Sequence, residues 1–289
     1  MKLPAFEYAA PSTVAEAVAL LAASGGTAKL LSGGQSLLPV MAFRLAAPSM
    51  LVDLRNIPAL NTISIEPGGI TLGARVRWCD IEADTKLRNA HPLLCAAVDH
   101  VAHYQIRNRG TVGGSLAHAD PAAEMPGIAV ACDAEVTLVG PGGTRVLPAG
   151  KFFVGALSTA IDPDEMIVAV RFPSWPKSRR WGFQEFSRRR GDFAIAGVAA
   201  YYDLDERGHA LNSHVGVIGA CVCPHRISQA EAALDGHAID AQSIAAAAEA
   251  ACAAVDPPGD LHASAEYRRS LTGTLLERAL TLAASREPS

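Results

Sequence analysis

The 289-residue chain is long enough for one large domain, or two or three small ones, with a sizeable core. Hydrophobic residues make up 49% and charged residues 19%, which excludes an intrinsically disordered chain. A formal net charge of -4 argues against nucleic-acid binding as the main function, and the run Arg188-Arg189-Arg190 is too short to reverse that.

The start, Met1-Lys2-Leu3-Pro4-Ala5-Phe6-Glu7, lacks the apolar stretch of a signal peptide. No window approaches the roughly 18 apolar residues a membrane helix needs. The expectation is a cytoplasmic chain without a membrane span. Thr13-Val14-Ala15-Glu16 has the form of a capping box, and Val14, Val18, Leu21 and Ala22 follow at helical spacing. Gly25-Gly26 should end that helix. An apolar run from Lys29 to Leu31 then enters Ser32-Gly33-Gly34-Gln35-Ser36, and a second run, Leu37 to Leu45, leaves it. Met50 to Leu54 reads as a strand. The result is a β-α-β unit with a glycine loop at a strand end, where α/β folds place ligands. Adjacent glycines let a backbone turn tightly and let a ligand approach, so successive N–H groups there can form an anion nest. The alternative is an ordinary strand-to-helix turn.

Two β-hairpins are expected, Ile63 to Gly73 around Pro67-Gly68-Gly69, and Glu135 to Leu147 around Pro141-Gly142-Gly143. Helices are expected over Ile81–Leu87 and Leu93–His103. A second glycine-rich stretch, Ile106 to Pro121, contains Thr111-Val112-Gly113-Gly114-Ser115 and then His118 and Asp120. An apolar run, Met125 to Cys132, follows it, and Glu165 to Phe172 reads as a strand. Pro173-Ser174-Trp175-Pro176 marks a domain boundary, since two prolines suit neither a helix interior nor a central strand. Beyond it lie three strands (Trp181–Ser187, Ala194–Tyr202, Leu211–Gly219) and three helices (Arg226–Leu234, Ala241–Ala254, Ala265–Ala284). The expected fold class is α+β. A two-lobed domain over residues 1–175 combines a βαβ lobe (about 1–56) with a mixed or antiparallel sheet lobe (57–175). A domain over residues 176–289 combines a three-stranded antiparallel sheet with a helical bundle.

Several chemistries lack their fingerprints. There is no G-x-G-x-x-G, no P-loop and no H-E-x-x-H. Six cysteines occur, but none forms C-x-x-C or has the spacing of an iron–sulfur or zinc site. Cys221, Cys223 and His225 cluster without enough partners for a metal.

The two serine-bearing Gly-Gly stretches, in this order, resemble the two FAD-binding loops of the flavoprotein (medium) subunit of the molybdenum hydroxylases, the xanthine dehydrogenase and carbon monoxide dehydrogenase family. The tail Ser264-Ala265-Glu266-Tyr267-Arg268-Arg269 resembles the C-terminal signature of the same subunits. The resemblance implies that Ser32, Gly33, Gly34, Gln35, Ser36 and Leu37 hold the FAD pyrophosphate. It implies that Thr111, Gly113, Gly114 and Ser115 hold its other side, and that Ile106 makes an apolar contact. Asp120 suits the ribityl hydroxyls or, alternatively, caps the helix after Pro121. His118 contacts flavin or orders the loop. Phe193 falls where related subunits place an aromatic ring, some a tyrosine, near the isoalloxazine; stacking survives the change, whereas a hydroxyl's hydrogen bond does not. Arg226 falls where some relatives have a basic residue near FAD.

By the same resemblance, two [2Fe-2S] clusters reside on a small partner subunit and the molybdenum cofactor on a large one, as a dimer of heterotrimers. Electrons would pass from the clusters to FAD and on to an external acceptor. The organic substrate stays open among carbon monoxide, aldehydes, purines and N-heterocycles. Two other readings are a stand-alone FAD oxidase of the vanillyl-alcohol oxidase type and a nucleotide-binding assembly module without electron transfer.

Overall fold

The structure is a computed structural model and describes residues 2–286. The expected α+β architecture is present. The first sheet is parallel, with strands β1 (Glu7–Ala9), β2 (Ala28–Leu31) and β3 (Met50–Asp53) in the order β1-β3-β2. Strand β1 carries no apolar alternation and sits at an edge, which is why its sequence gives no strand signal. The helix Val14–Ala23 starts where expected, and Thr13 Oγ1 accepts from the Glu16 amide. The Glu16 carboxylate reaches Ser12 rather than Thr13, so the reciprocal half of the capping box closes one residue further out.

The second sheet is antiparallel throughout. Strands β4 (Ile63–Glu66) and β5 (Gly69–Gly73) form one expected hairpin, and β6 (Glu135–Gly140) and β7 (Gly143–Pro148) the other. A short pair, β8 (Phe153–Gly155) and β9 (Ser158–Thr159), lies apart. Strand β10 (Met166–Pro173) joins the two hairpins in the order β4-β5-β10-β6-β7. Between the hairpins, the helix expected over Ile81–Leu87 is split. Asp84 is extended and accepts from the amides of Lys86 and Leu87, ending the helix Trp78–Ala83 and starting Thr85–Ala90.

The third sheet has β11 (Arg180–Phe186), β12 (Ala196–Leu204) and β13 (Ala210–Ile218) in antiparallel order β11-β12-β13. The helix Ala265–Ser285 lies against it so closely that a side chain on Gly182 would collide with the Ala279 carbonyl. Ala247, Ala251, Leu276, Ala279, Leu280 and Ala283 are buried in one core with Val198, Ala200, Val215 and Val217. The alanine-rich helix Ala241–Ala254 thus uses small side chains to bring its backbone near its neighbours. A second, larger core fills the space under the first two sheets. Among the described residues no helix is long and apolar enough to cross a membrane.

Candidate functional site

Strand β2 ends at Leu31 and delivers Ser32 to Ser36 as a half-buried turn before the helix Leu37–Ala42. Gly34 has φ +73°, a conformation that favours glycine. The amide N–H groups of residues 32 to 37 find no hydrogen-bond partner among the described residues, although the next one, Leu38, donates to Gly34 O at 3.2 Å. These residues are half-buried, and the last of them open a helix, where amides have no partner within the chain. An uninterrupted row of such donors is free to pair with an acceptor from outside the chain.

The second stretch differs from the expected loop. It is a short helical turn, Tyr104–Arg107, followed by the helix Val112–His118. Thr111 caps that helix, its Oγ1 accepting from the Gly114 amide at 3.2 Å. The Val112 amide donates to Val76 O, Gly113 to Ala74 O and Ser115 to Thr111 O. These amides are spent inside the protein, so this side offers hydroxyls rather than a second nest. Gly113 is buried, and an added Cβ would lie 2.7 Å from Ala74 Cβ; its glycine serves close packing. A Cβ on Gly114 would lie 2.8 Å from Thr111 Oγ1 and would disturb the cap. Ser115 and Ile106 are half-buried. His118 is half-buried at the helix end, and Ala119, at φ 52°, turns the chain sharply after it. Asp120 does not cap the next helix, Glu124–Ala131, whose cap residue is Ala123. Its Oδ1 accepts from the Ala122 amide at 2.9 Å instead.

The fold brings the two stretches into contact. A side chain at Gly33 would collide with the Arg109 carbonyl, so the backbones touch there. Ser32 Oγ and Thr111 Oγ1 lie 2.9 Å apart. Phe193 is 63% exposed, large for an aromatic ring, on a turn set by Gly191 at φ +88°. A Cβ on Gly191 would collide with His103 Nδ1, which places this turn against the start of the second stretch.

Arg268, part of the tail signature, has a role that no local sequence pattern reveals. It is buried, and its Nη1 donates to Ile195 O at 2.6 Å and Gly219 O at 3.0 Å, while Nη2 pairs with Asp260 at 2.7 Å. The Gly219 amide in turn donates to Pro121 O at 2.8 Å. The tail therefore fastens the end of the second stretch to the third sheet. Arg226, which stands where some relatives have a basic residue near FAD, pairs with Asp133 and Glu231. No cluster that could hold a metal ion occurs among the described residues.

The FAD-binding domain of molybdopterin dehydrogenases matches residues 4–175, and the C-terminal domain of the carbon monoxide dehydrogenase flavoprotein matches residues 181–283. The chain belongs to the FAD-binding medium subunits of the molybdenum hydroxylases. It is 41% identical to the 6-hydroxypseudooxynicotine dehydrogenase complex subunit alpha of Paenarthrobacter nicotinovorans, over 99% of this chain and 97% of that one. A carbon monoxide dehydrogenase structure from Hydrogenophaga pseudoflava superimposes with a TM-score of 0.95 and 38% identity, covering 99% of both chains. Quinoline 2-oxidoreductase from Pseudomonas putida 86 gives a TM-score of 0.93 and 37% identity over 98% of both. As a medium subunit of this family, the chain is an FAD-binding component of a molybdenum-containing oxidoreductase. The donor row at residues 32 to 37 fits that cofactor, because a diphosphate supplies only acceptors.

Proposed function

We propose that this chain carries electrons between the [2Fe-2S] clusters of a small partner subunit and an external acceptor, within a complex whose large subunit holds molybdenum. The complex is a dimer of heterotrimers in the cytoplasm, and the organic substrate is oxidised on the large subunit. Bound FAD supplies a carrier that takes electrons singly and releases them in pairs. The observation that carries the proposal is the unpaired amide row at residues 32 to 37, clamped against Thr111.

In this reading, Ser32, Gly33, Gly34, Gln35, Ser36 and Leu37 bind the pyrophosphate, chiefly through backbone N–H groups. The Thr111 and Ser115 hydroxyls face it from the other side, on a helix that Gly113 seats against Ala74 and that Gly114 lets Thr111 cap. Asp120 accepts from ribityl hydroxyls with the oxygen it does not spend on Ala122. Ile106 and His118 line the site, and the exposed Phe193 ring covers the isoalloxazine. Residues 1–175 form the cofactor domain and 176–289 the domain that closes over it.

The test mixes FAD-loaded chain with the substrate of its complex under anaerobic conditions, then adds the partner subunits. The flavin absorbance should bleach only after both partners are present. Rapid bleaching by substrate alone would overturn the relay and indicate a stand-alone oxidase. Absence of FAD from the intact complex would remove the cofactor assignment.

A further inference from the structure

Strand β11 passes into β12 through residues 187–195, and this turn is held from two sides. Within it, Ser187 Oγ and the Asp192 amide donate to Arg189 O at 2.9 and 3.0 Å, and the Ile195 amide closes it on Phe186 O at 2.8 Å. Beneath it, Gly191 packs on Ala102 and His103 so closely that a Cβ would collide with both. That support is itself fixed, because Arg107 Nη1 donates to Val101 O and Ala102 O at 3.0 and 2.9 Å.

The braced turn presents charge without counter-charge. Arg188, Arg189 and Arg190 are exposed and form no ion pair among the described residues, whereas Arg88 pairs with Asp99 and Arg107 with Glu82. Asp192 is the one carboxylate in the turn, so three positive charges less one leave it at +2, on a chain whose formal net charge is -4. Two exposed rings accompany the arginines: Phe193 in the turn itself, and Tyr104, which follows His103 and is 66% exposed. Arginine among aromatic rings is the composition of protein-docking surfaces. Three successive side chains on a turn diverge, so they spread a positive field over a broad face rather than converge on one small anion.

We infer that this turn is the docking surface for the external electron acceptor, and that the acceptor is a one-electron carrier protein with an acidic face. The inference rests on the relay proposed above, in which Phe193 covers the isoalloxazine. A carrier held by the arginines is then brought up to the ring that lies over the cofactor. Each docking passes one electron to the carrier, so reoxidation takes two dockings and releases its protons to solvent.

An acidic cytochrome b5 and a basic cytochrome c serve as probes, against the full-length chain and the intact FAD-loaded complex. In calorimetry, cytochrome b5 alone should bind, and its affinity should fall about ten-fold between about 20 and about 200 mM salt. Haem reduction by the reduced complex should slow by a similar factor over that range for cytochrome b5 and not for cytochrome c. Arg188→Gln, Arg189→Gln and Arg190→Gln together should remove the salt dependence while FAD content and melting temperature stay unchanged, because these side chains hold nothing else. Lysine at the same three positions should restore it. Binding of cytochrome b5 to the chain but not to the complex would mean that a partner subunit covers the turn, and would overturn the acceptor assignment. Equal behaviour of the two cytochromes with FAD present would overturn this surface and leave the relay standing. A complex that lacks FAD would overturn the relay and the inference with it.

Discussion

Ser32 Oγ and Thr111 Oγ1 lie 2.9 Å apart although 79 residues separate them, and Thr111 also caps the helix that carries Gly113 and Gly114. One hydroxyl thus fixes both the distance between the two glycine stretches and the start of the second helix. Thr111→Val should destabilise the protein by about 1–2 kcal/mol through the lost cap. It should also lower FAD retention, because the donor row loses its brace. Thr111→Ser should restore both. Thermal melting and the flavin-to-protein absorbance ratio check the outcome; full FAD content in Thr111→Val would show that the brace is dispensable.

The two loop glycines should respond differently to alanine. At Gly33 the new Cβ would drive into the Arg109 carbonyl, which is backbone and cannot rotate away. At Gly34 it would meet Leu38 Cδ1 at 3.0 Å, the end of a flexible side chain, with the added strain of φ +73°. Gly33→Ala should therefore separate the stretches, cost about 1–3 kcal/mol and abolish FAD retention. Gly34→Ala should cost about 1–2 kcal/mol from backbone strain and retain part of the FAD. Equal FAD loss in both variants would mean that the Gly33 contact has no special weight.

Most elements were legible in the sequence because their signals are local. The hairpin turns around Pro67-Gly68-Gly69 and Pro141-Gly142-Gly143, and the breaks at Gly25 and Pro173, need no tertiary context. The first glycine stretch was legible for the same reason: a Gly-Gly at the end of an apolar run announces a turn. The second misled, because Gly113 and Gly114 also read as a loop. Nothing local reveals that Ala74 needs a glycine opposite it, or that Thr111 will cap a helix there. The role of Arg268 was likewise hidden, since its acceptors Ile195 and Gly219 are distant in sequence.

Arg268 gives a test of that hidden link. Replacing it by alanine leaves the carbonyls of Ile195 and Gly219 without their donor inside the protein. The expected loss is roughly 3 kcal/mol or more, from breaking a buried hydrogen-bonded charge. Because Gly219 also holds Pro121, FAD retention should fall with stability. Urea denaturation and flavin content measure the two effects; a variant as stable as the parent would contradict this role.

Phe193 should behave in the opposite way. It is mostly exposed, so Phe193→Ala should change stability by no more than about 0.5 kcal/mol. If its ring covers the isoalloxazine, the same variant should weaken FAD binding by about 0.5–1.5 kcal/mol, and Phe193→Tyr should keep the stacking. FAD dissociation followed by fluorescence distinguishes these cases. An unchanged affinity in Phe193→Ala would remove the ring from the site.

Glu124 and Glu185 make stability depend on pH in a direction opposite to most carboxylates. Burial pushes Glu124 up to about 7 and Glu185 up to about 9, and the Glu124 charge further opposes ionisation of Glu185. Glu185 Oε2 has no hydrogen-bond partner, and the His100 imidazole, whose pKa burial lowers, lies 3.9 Å from Oε1 and supplies no charge to hold the carboxylate. Unfolded, both carboxyls ionise near 4.5, so the folded chain holds more protons between that value and the raised ones. Their contribution is fully present below about 4.5 and is lost as pH rises through about 7 and then about 9. The melting temperature should fall progressively across that window. Glu185→Gln keeps the shape but cannot ionise, so it should flatten the fall and melt higher than the parent at the alkaline end. A parent curve that rises over the same window, or a glutamine variant that tracks the parent, would show that these carboxyls are not held protonated by the fold.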